Sequence, residues 1–201
     1  MVPCPKEAVS LAARMRAGSI IVLTLVLAGC SGDSKRVAEA DLPTVVLQPA
    51  DLAGSFERFD EGRQASADQP EGARSDATRF GRIDGWKSRY RRRGGVEISG
   101  PLVIESRADL FESPGGAEDE LDEIARERAG QPRDRDLGEE AIVVSTTQAG
   151  FPRPLRTFVV SWRSANVVAT VTANGFQGRV GEADVLRLAR RQQARITAAA
   201  D

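Results

Sequence analysis

"RTFVVSWRSANVVATVTA", residues 156–173, decides the fold. Two runs rich in Val, Thr and aromatic residues flank Ser164-Ala165-Asn166, a triplet suited to a tight turn. Branched and aromatic side chains fit a pleated, half-buried surface, and a short polar break between two such runs predicts an antiparallel hairpin. Phe158, Val160 and Trp162 recur at every second position, so they share one face and are expected in the core. A run of the same kind, EAIVVSTTQ (140–148), precedes the hairpin and predicts a third strand. After it, EADVLRLARRQQARI (182–196) places Val185, Leu188, Ala189 and Ile196 at helical spacing, the pattern of an amphipathic helix.

Working towards the N-terminus, PLVIES (101–106) reads as a buried strand and SFERF (55–59) as a short one. RIDGWKSRYRRR (82–93) sets Trp86, Ser88 and Tyr90 on one face and Lys87, Arg89 and Arg91 on the other, with Gly94-Gly95 to end it. AEDELDEIARER (117–128) brings Ala117, Leu121, Ile124, Ala125 and Arg128 together at helical spacing. Its acids come first and its arginines last, as the helix dipole favours. DEGRQASADQPEGARSDAT (60–78) holds almost no large apolar residue and is expected to be a mobile loop, and GQPRDRDLG (130–138) a linker. Strands, a helix, more strands and a final helix predict the α+β class: one domain over 44–200, with an antiparallel sheet of about five to six strands and the helices 117–128 and 182–196 packed on one face.

The N-terminus carries a different signal. Arg14 and Arg16 precede the apolar run AGSIIVLTLVL (17–27), followed by the small residues Ala28 and Gly29. This is the order of a secretory signal peptide, and the run is too short to span a bilayer. Leu27-Ala28-Gly29-Cys30 resembles the bacterial lipobox. The resemblance implies a thioether-linked diacylglyceryl group on Cys30, with fatty chains of the palmitate kind, and cleavage of residues 1–29. The mature chain is then expected to be anchored in the bacterial cell membrane on its extracytoplasmic face, with residues 30–43 as a flexible tether. Two or more acyl chains give a stable anchor at about 0.8 kcal/mol per buried CH₂. Cys4 leaves with the leader, so no thiol pair remains for a disulfide.

The stretch from DLGEEA to the closing LRLARRQQARI (136–196) is similar to the C-terminal half of small envelope lipoproteins from high-GC bacteria. It also resembles, more distantly, the extracellular sensor domains of actinobacterial membrane-bound Ser/Thr kinases, although it lacks their disulfide cysteines. The resemblance covers about a third of the chain and implies architecture; it transfers no functional residue.

Charge and composition narrow the chemistry. The chain has 28 Lys+Arg against 29 Asp+Glu, and only three of the bases are lysines. Removing Lys6, Arg14, Arg16 and Glu7 with the leader leaves a net charge of −3, which gives no global attraction to nucleic acid. There is no histidine, which excludes Ser-His-Asp and Cys-His nucleophilic centres and ordinary zinc sites. No phosphate-cradling glycine loop or nucleophile elbow occurs. A carboxylate hydrolase would need acids such as Asp51 or the pair Glu139-Glu140, without an aromatic cleft to accompany them. The chain is therefore expected not to be an enzyme, and to use no cofactor or metal.

The densest positive region is the strand with Lys87, Arg89, Arg91, Arg92 and Arg93, interleaved with Trp86 and Tyr90. One reading makes Trp86, Lys87, Arg89, Tyr90 and Arg91 a binding site, either a pocket for a small or lipid-like ligand between sheet and helices or a face for an envelope protein or anionic wall polymer. The other makes them an ordinary half-buried strand, aromatic inside and charged outside. Alternation itself predicts a polar outer face and so favours the second reading.

Overall fold

The computed structural model describes residues 35–64, 78–128, 131–133, 137–150 and 152–200. Among these residues, seven strands form one antiparallel sheet: β1 (Glu57–Arg63), β2 (Arg82–Arg91), β3 (Val103–Phe111), β4 (Gln131–Arg133), β5 (Glu140–Gln148), β6 (Leu155–Ser164) and β7 (Val167–Phe176). Their spatial order is β1-β2-β3-β7-β6-β5-β4. Helices α1 (Leu42–Val45), α2 (Pro114–Arg128) and α3 (Glu182–Ala199) complete the α+β domain. The expected class is observed. Six strands are long, and the seventh, β4, arises from three residues of the expected linker.

The hairpin at 156–173 forms as its sequence predicts. Ser164 pairs with Val167 across Ala165-Asn166, and Ala165 takes a left-handed φ of 54°. Phe158, Val160 and Trp162 are buried beside Ala173, Val171 and Ala169 of β7, which in turn face Ile104, Ser106 and Ala108 of β3. This first face carries the main core. The α3 residues Val185, Leu188, Ala189 and Ile196 cover it, together with the run Val45-Val46-Leu47.

The two long helices do not share that face. Val168 and Phe111 alternate with the core positions and point to the second face, where they pack with Ala117 of α2 and, at the edge, Phe80 and Ile124. The expectation that both helices pack on one side is therefore corrected: α3 lies on the first face and α2 on the second. Each helix has a single apolar stripe, and period 3.6 says which stripe is buried, not against which side of the sheet.

Two further boundaries shift. Val37 and Leu42 are buried in the core, so residues 35–43, expected as tether, belong to the folded domain. The side chain of Asn166 holds this segment, accepting from the Val37 amide at 2.9 Å and donating to the Val37 carbonyl at 3.2 Å and the Phe111 carbonyl at 3.1 Å. Residues 60–63 of the expected loop extend β1, which pairs with β2 through Arg63–Trp86; residues 65–77 lie outside the described part.

Inside the core, the buried polar groups satisfy one another. Ser106 Oγ accepts from the Leu47 amide at 2.9 Å and donates to Gln192 Oε1 at 2.8 Å, while Gln192 Nε2 donates to the Arg107 carbonyl at 2.8 Å. Ser88 Oγ and Tyr90 Oη both donate to the Leu47 carbonyl, at 3.0 and 2.7 Å. Trp162 Nε1 donates to Gln193 Oε1 at 2.7 Å. A buried polar network is stabilising only when complete, and this one ties α3 and the 45–47 run to the sheet.

Candidate ligand cleft beside the C-terminal helix

Three pieces of chain form the walls of a cleft of about 520 Å³. The first is the connection from β2 to β3. The Arg92 amide donates to the Leu102 carbonyl at 2.9 Å, and the residues between them loop outward. Gly100, at φ +85°, turns this loop so that its amide reaches the Arg179 carbonyl at 2.6 Å. The second piece is the 3-10 turn Pro49–Asp51, fixed by the Asp51 carboxylate. That group accepts from the Gln48 amide at 2.7 Å and pairs with Arg195 of α3 at 2.6 Å. The third is the start of α3, where Asp184 accepts from the Gly181 amide at 3.0 Å, placing an acid on the positive helix end.

The floor is apolar, made by Leu52, Phe56, Pro101, Ile104 and Leu188; the rim carries Arg92, Arg187 and Arg191. Arg187 pairs with Asp184 at 3.1 Å. The other two arginines are oriented by neutral oxygens. Arg92 donates through Nε to the Pro101 carbonyl at 2.6 Å and through Nη2 to the Ser99 carbonyl, and Arg191 donates to the Asp51 carbonyl. The Arg92 guanidinium also lies 5.1 Å from the centre of the Phe56 ring, a cation–π contact. Burial lowers its pKa, opposed by the nearby Asp184 carboxylate. Two fixed guanidinium forks above an apolar floor are chemically suited to a ligand with an anionic head and a hydrocarbon or aromatic body.

The five residues marked in the sequence are distributed over this frame. Tyr90 is fully buried on the first face, beside the cleft residue Ile104, with its hydroxyl engaged by Leu47. Burial raises the Tyr90 pKa. Trp86 shares that face about 13 Å further along the strand, half-buried against the core, and among the described residues its Nε1 finds no hydrogen-bond partner. Lys87 and Arg89 point to the second face into a ladder of carboxylates. Lys87 lies 3.4 Å from Asp60, and Arg89 lies 3.2 Å from Asp60 and 2.5 Å from Glu105. Arg91 is exposed at the strand end, 3.9 Å from Glu57. There Arg91, Arg92 and Arg93 line a second opening of about 460 Å³ with Ser55 and Glu57, so Arg92 borders both spaces. Cys30 lies outside the described residues.

Two of the acids considered for hydrolysis have structural roles. Asp51 holds the 3-10 turn and Arg195. Glu139 pairs with Arg163 and accepts from the Ala165 amide at 2.9 Å, supporting the hairpin turn. Among the described residues no group of three or more His, Cys, Asp or Glu could hold a metal ion, and no helix is long and apolar enough to cross a membrane. Sequence reasoning missed Arg187 and Arg191. They stand four apart on the polar side of α3, flanking Leu188, and that spacing was the available signal.

No protein-family model and no curated protein matches the chain. Its fold is similar to that of the extracellular domain of PknH from Mycobacterium tuberculosis. The TM-score is 0.54 at 12% sequence identity, over 82% of this chain and 99% of the PknH domain. The likeness therefore concerns the whole architecture of that domain and not its individual residues. It agrees, at the level of fold, with the resemblance to kinase sensor domains carried by residues 136–196.

Proposed function

We propose that this chain is a lipid-anchored, extracytoplasmic binding domain without catalytic activity, and that it takes a small or lipid-like anionic ligand in the cleft beside α3. The cleft carries the reading: an apolar floor spanned by Arg92 and Arg191, both fixed by carbonyl oxygens with no carboxylate at hydrogen-bond distance among the described residues. The lipobox-like Leu27-Ala28-Gly29-Cys30 and the shared fold with the extracellular PknH domain support the compartment. In an established pocket of this kind the charged groups set orientation while the apolar wall supplies most of the affinity.

The mature protein, released gently from its host envelope, is to be weighed by native mass spectrometry after the mass of the anchor is subtracted. The expected result is a stoichiometric small acidic molecule that is lost in Arg92→Gln. A clean apo mass for the wild-type protein overturns the ligand reading. A second reading, contact with an anionic protein or wall polymer, is favoured by one observation: Arg91 and Arg93 are exposed beside the cleft, whereas Lys87 and Arg89 are held by Asp60 and Glu105. In that case Arg91→Ala with Arg93→Ala weakens retention on isolated envelopes, and salt does the same.

A further inference from the structure

The second face of the sheet holds another cavity, of about 440 Å³, remote from the α3 cleft. Its floor is a continuous row of neighbours: Arg107 beside Thr170, Glu105 beside Thr172, then Val159 and Val144. Thr146 closes the row along β5, and Arg128, the last residue of α2, overhangs it. Arg107 is held firmly. It lies 4.0 Å from Glu105 and 3.9 Å from Asp109 and donates to Gln64. Glu105 is in turn occupied by Arg89 at 2.5 Å. Arg128 differs: it is half-buried, yet it has no hydrogen-bond or ion-pair partner among the described residues. Burial, and then the like charge of Arg107, push its pKa down, opposed by the carboxylates of Glu127, Glu120 and Glu105, none of which reaches ion-pair distance. A half-buried guanidinium facing another guanidinium, with its nearest carboxylates beyond ion-pair distance, is stabilised further by an anion placed between the two.

We propose that this groove is an oxyanion site, taking a phosphoryl group between Arg107 and Arg128 over the hydroxyls of Thr170 and Thr172. The guanidinium forks match the oxygen spacing of phosphate, and the threonines offer neutral donors. The anion is opposed by the carboxylates of Glu105, Glu120 and Glu127 and by the negative end of α2. The site therefore works only with both arginines present. Phosphate alone fills a small part of the cavity, and the remainder runs along Val144 and Val159, where a small apolar substituent on the phosphate fits.

The test is calorimetric titration of the full chain in detergent at low ionic strength, with inorganic phosphate and phenyl phosphate as probes. Saturable binding is expected, weakened at least tenfold in Arg128→Gln. That variant breaks no hydrogen bond or ion pair with a described residue, so it leaves the fold intact. Thr172→Val is expected to weaken binding several-fold, and Arg126→Gln, exposed on the same helix and outside both cavities, to leave it unchanged. Tighter binding of phenyl phosphate than of phosphate assigns the site to a phosphomonoester; equal binding assigns it to the free anion. The proposal is overturned if neither probe binds saturably, or if Arg128→Gln binds as the wild type does. Binding lost in Arg92→Gln but kept in Arg128→Gln also overturns it, because the anion then belongs to the α3 cleft.

Discussion

Tyr90 is the only tyrosine of the chain, so its titration can be followed without interference. Its hydroxyl donates to the Leu47 carbonyl at 2.7 Å, and burial raises its pKa above the ordinary 10.0. The folded protein thus keeps a proton that the unfolded chain has released, and stability falls as pH rises above about 10 until the folded-state pKa is passed. Tyr90→Phe is expected to cost about 1 kcal/mol at neutral pH, since Leu47 keeps its bond from Ser88, and to flatten this alkaline slope. Urea unfolding across the alkaline range, alongside the ultraviolet absorbance of the phenolate, checks both. An unchanged slope in the variant would show that another group causes it. The division of the basic strand into an aromatic and a charged face was legible at this scale, because alternation has period two. The partners of its charges were not. Asp60 and Glu105 arrive from β1 and β3, which only strand pairing brings beside Arg89.

At the level of elements, the start of α2 offers a paired test. Gly115 and Gly116 are adjacent in the same helical turn. A Cβ on Gly115 meets nothing closer than Ser113 Oγ at 3.8 Å, whereas one on Gly116 collides with the Phe80 carbonyl oxygen. Glycine to alanine within a helix ordinarily gains up to about 1 kcal/mol. Gly115→Ala is therefore expected to be neutral or stabilising. Gly116→Ala is expected to destabilise by about 1–3 kcal/mol, because the close approach of α2 to the 3-10 turn Arg79–Gly81 must open. Denaturation midpoints of the two variants decide it, and equal midpoints would mean that the turn yields freely. The sequence located α2 and α3 by their apolar spacing. It did not show the side of the sheet each would take, since Val168 and Phe111 look like any other strand residues until β3 and β7 lie together. For the same reason the cleft was only half legible. Arg92 stood out in a basic run, but Phe56, Arg187 and Arg191 meet it only through the loop of 93–101 and the docking of α3.

For the whole molecule, the sheet joins two sequence-local sets, β1-β2-β3 and β4 to β7, through the single pairing of β3 with β7. Each of those two central strands is followed by a helix, and the helices take opposite faces. The anchor belongs to this scale. The protein expressed in a bacterial host is expected to partition with membranes and, by intact mass, to begin at an acylated Cys30; Cys30→Ser is expected to lose the acyl mass. Retention of an unacylated, uncleaved wild-type chain in the membrane would sink the anchor. If the anchor holds, the Asn166 clasp on Val37 acquires a mechanical meaning. Tension entering from the N-terminal side reaches the domain through Arg36 and Val37, where the bonds to the Glu112 carbonyl and to the Asn166 side chain must break before the run 42–47 lifts from the core. The sheet itself is spared, because its ladders are not in series with that path. The segment would act as a tear strip, giving way first and leaving the seven strands folded.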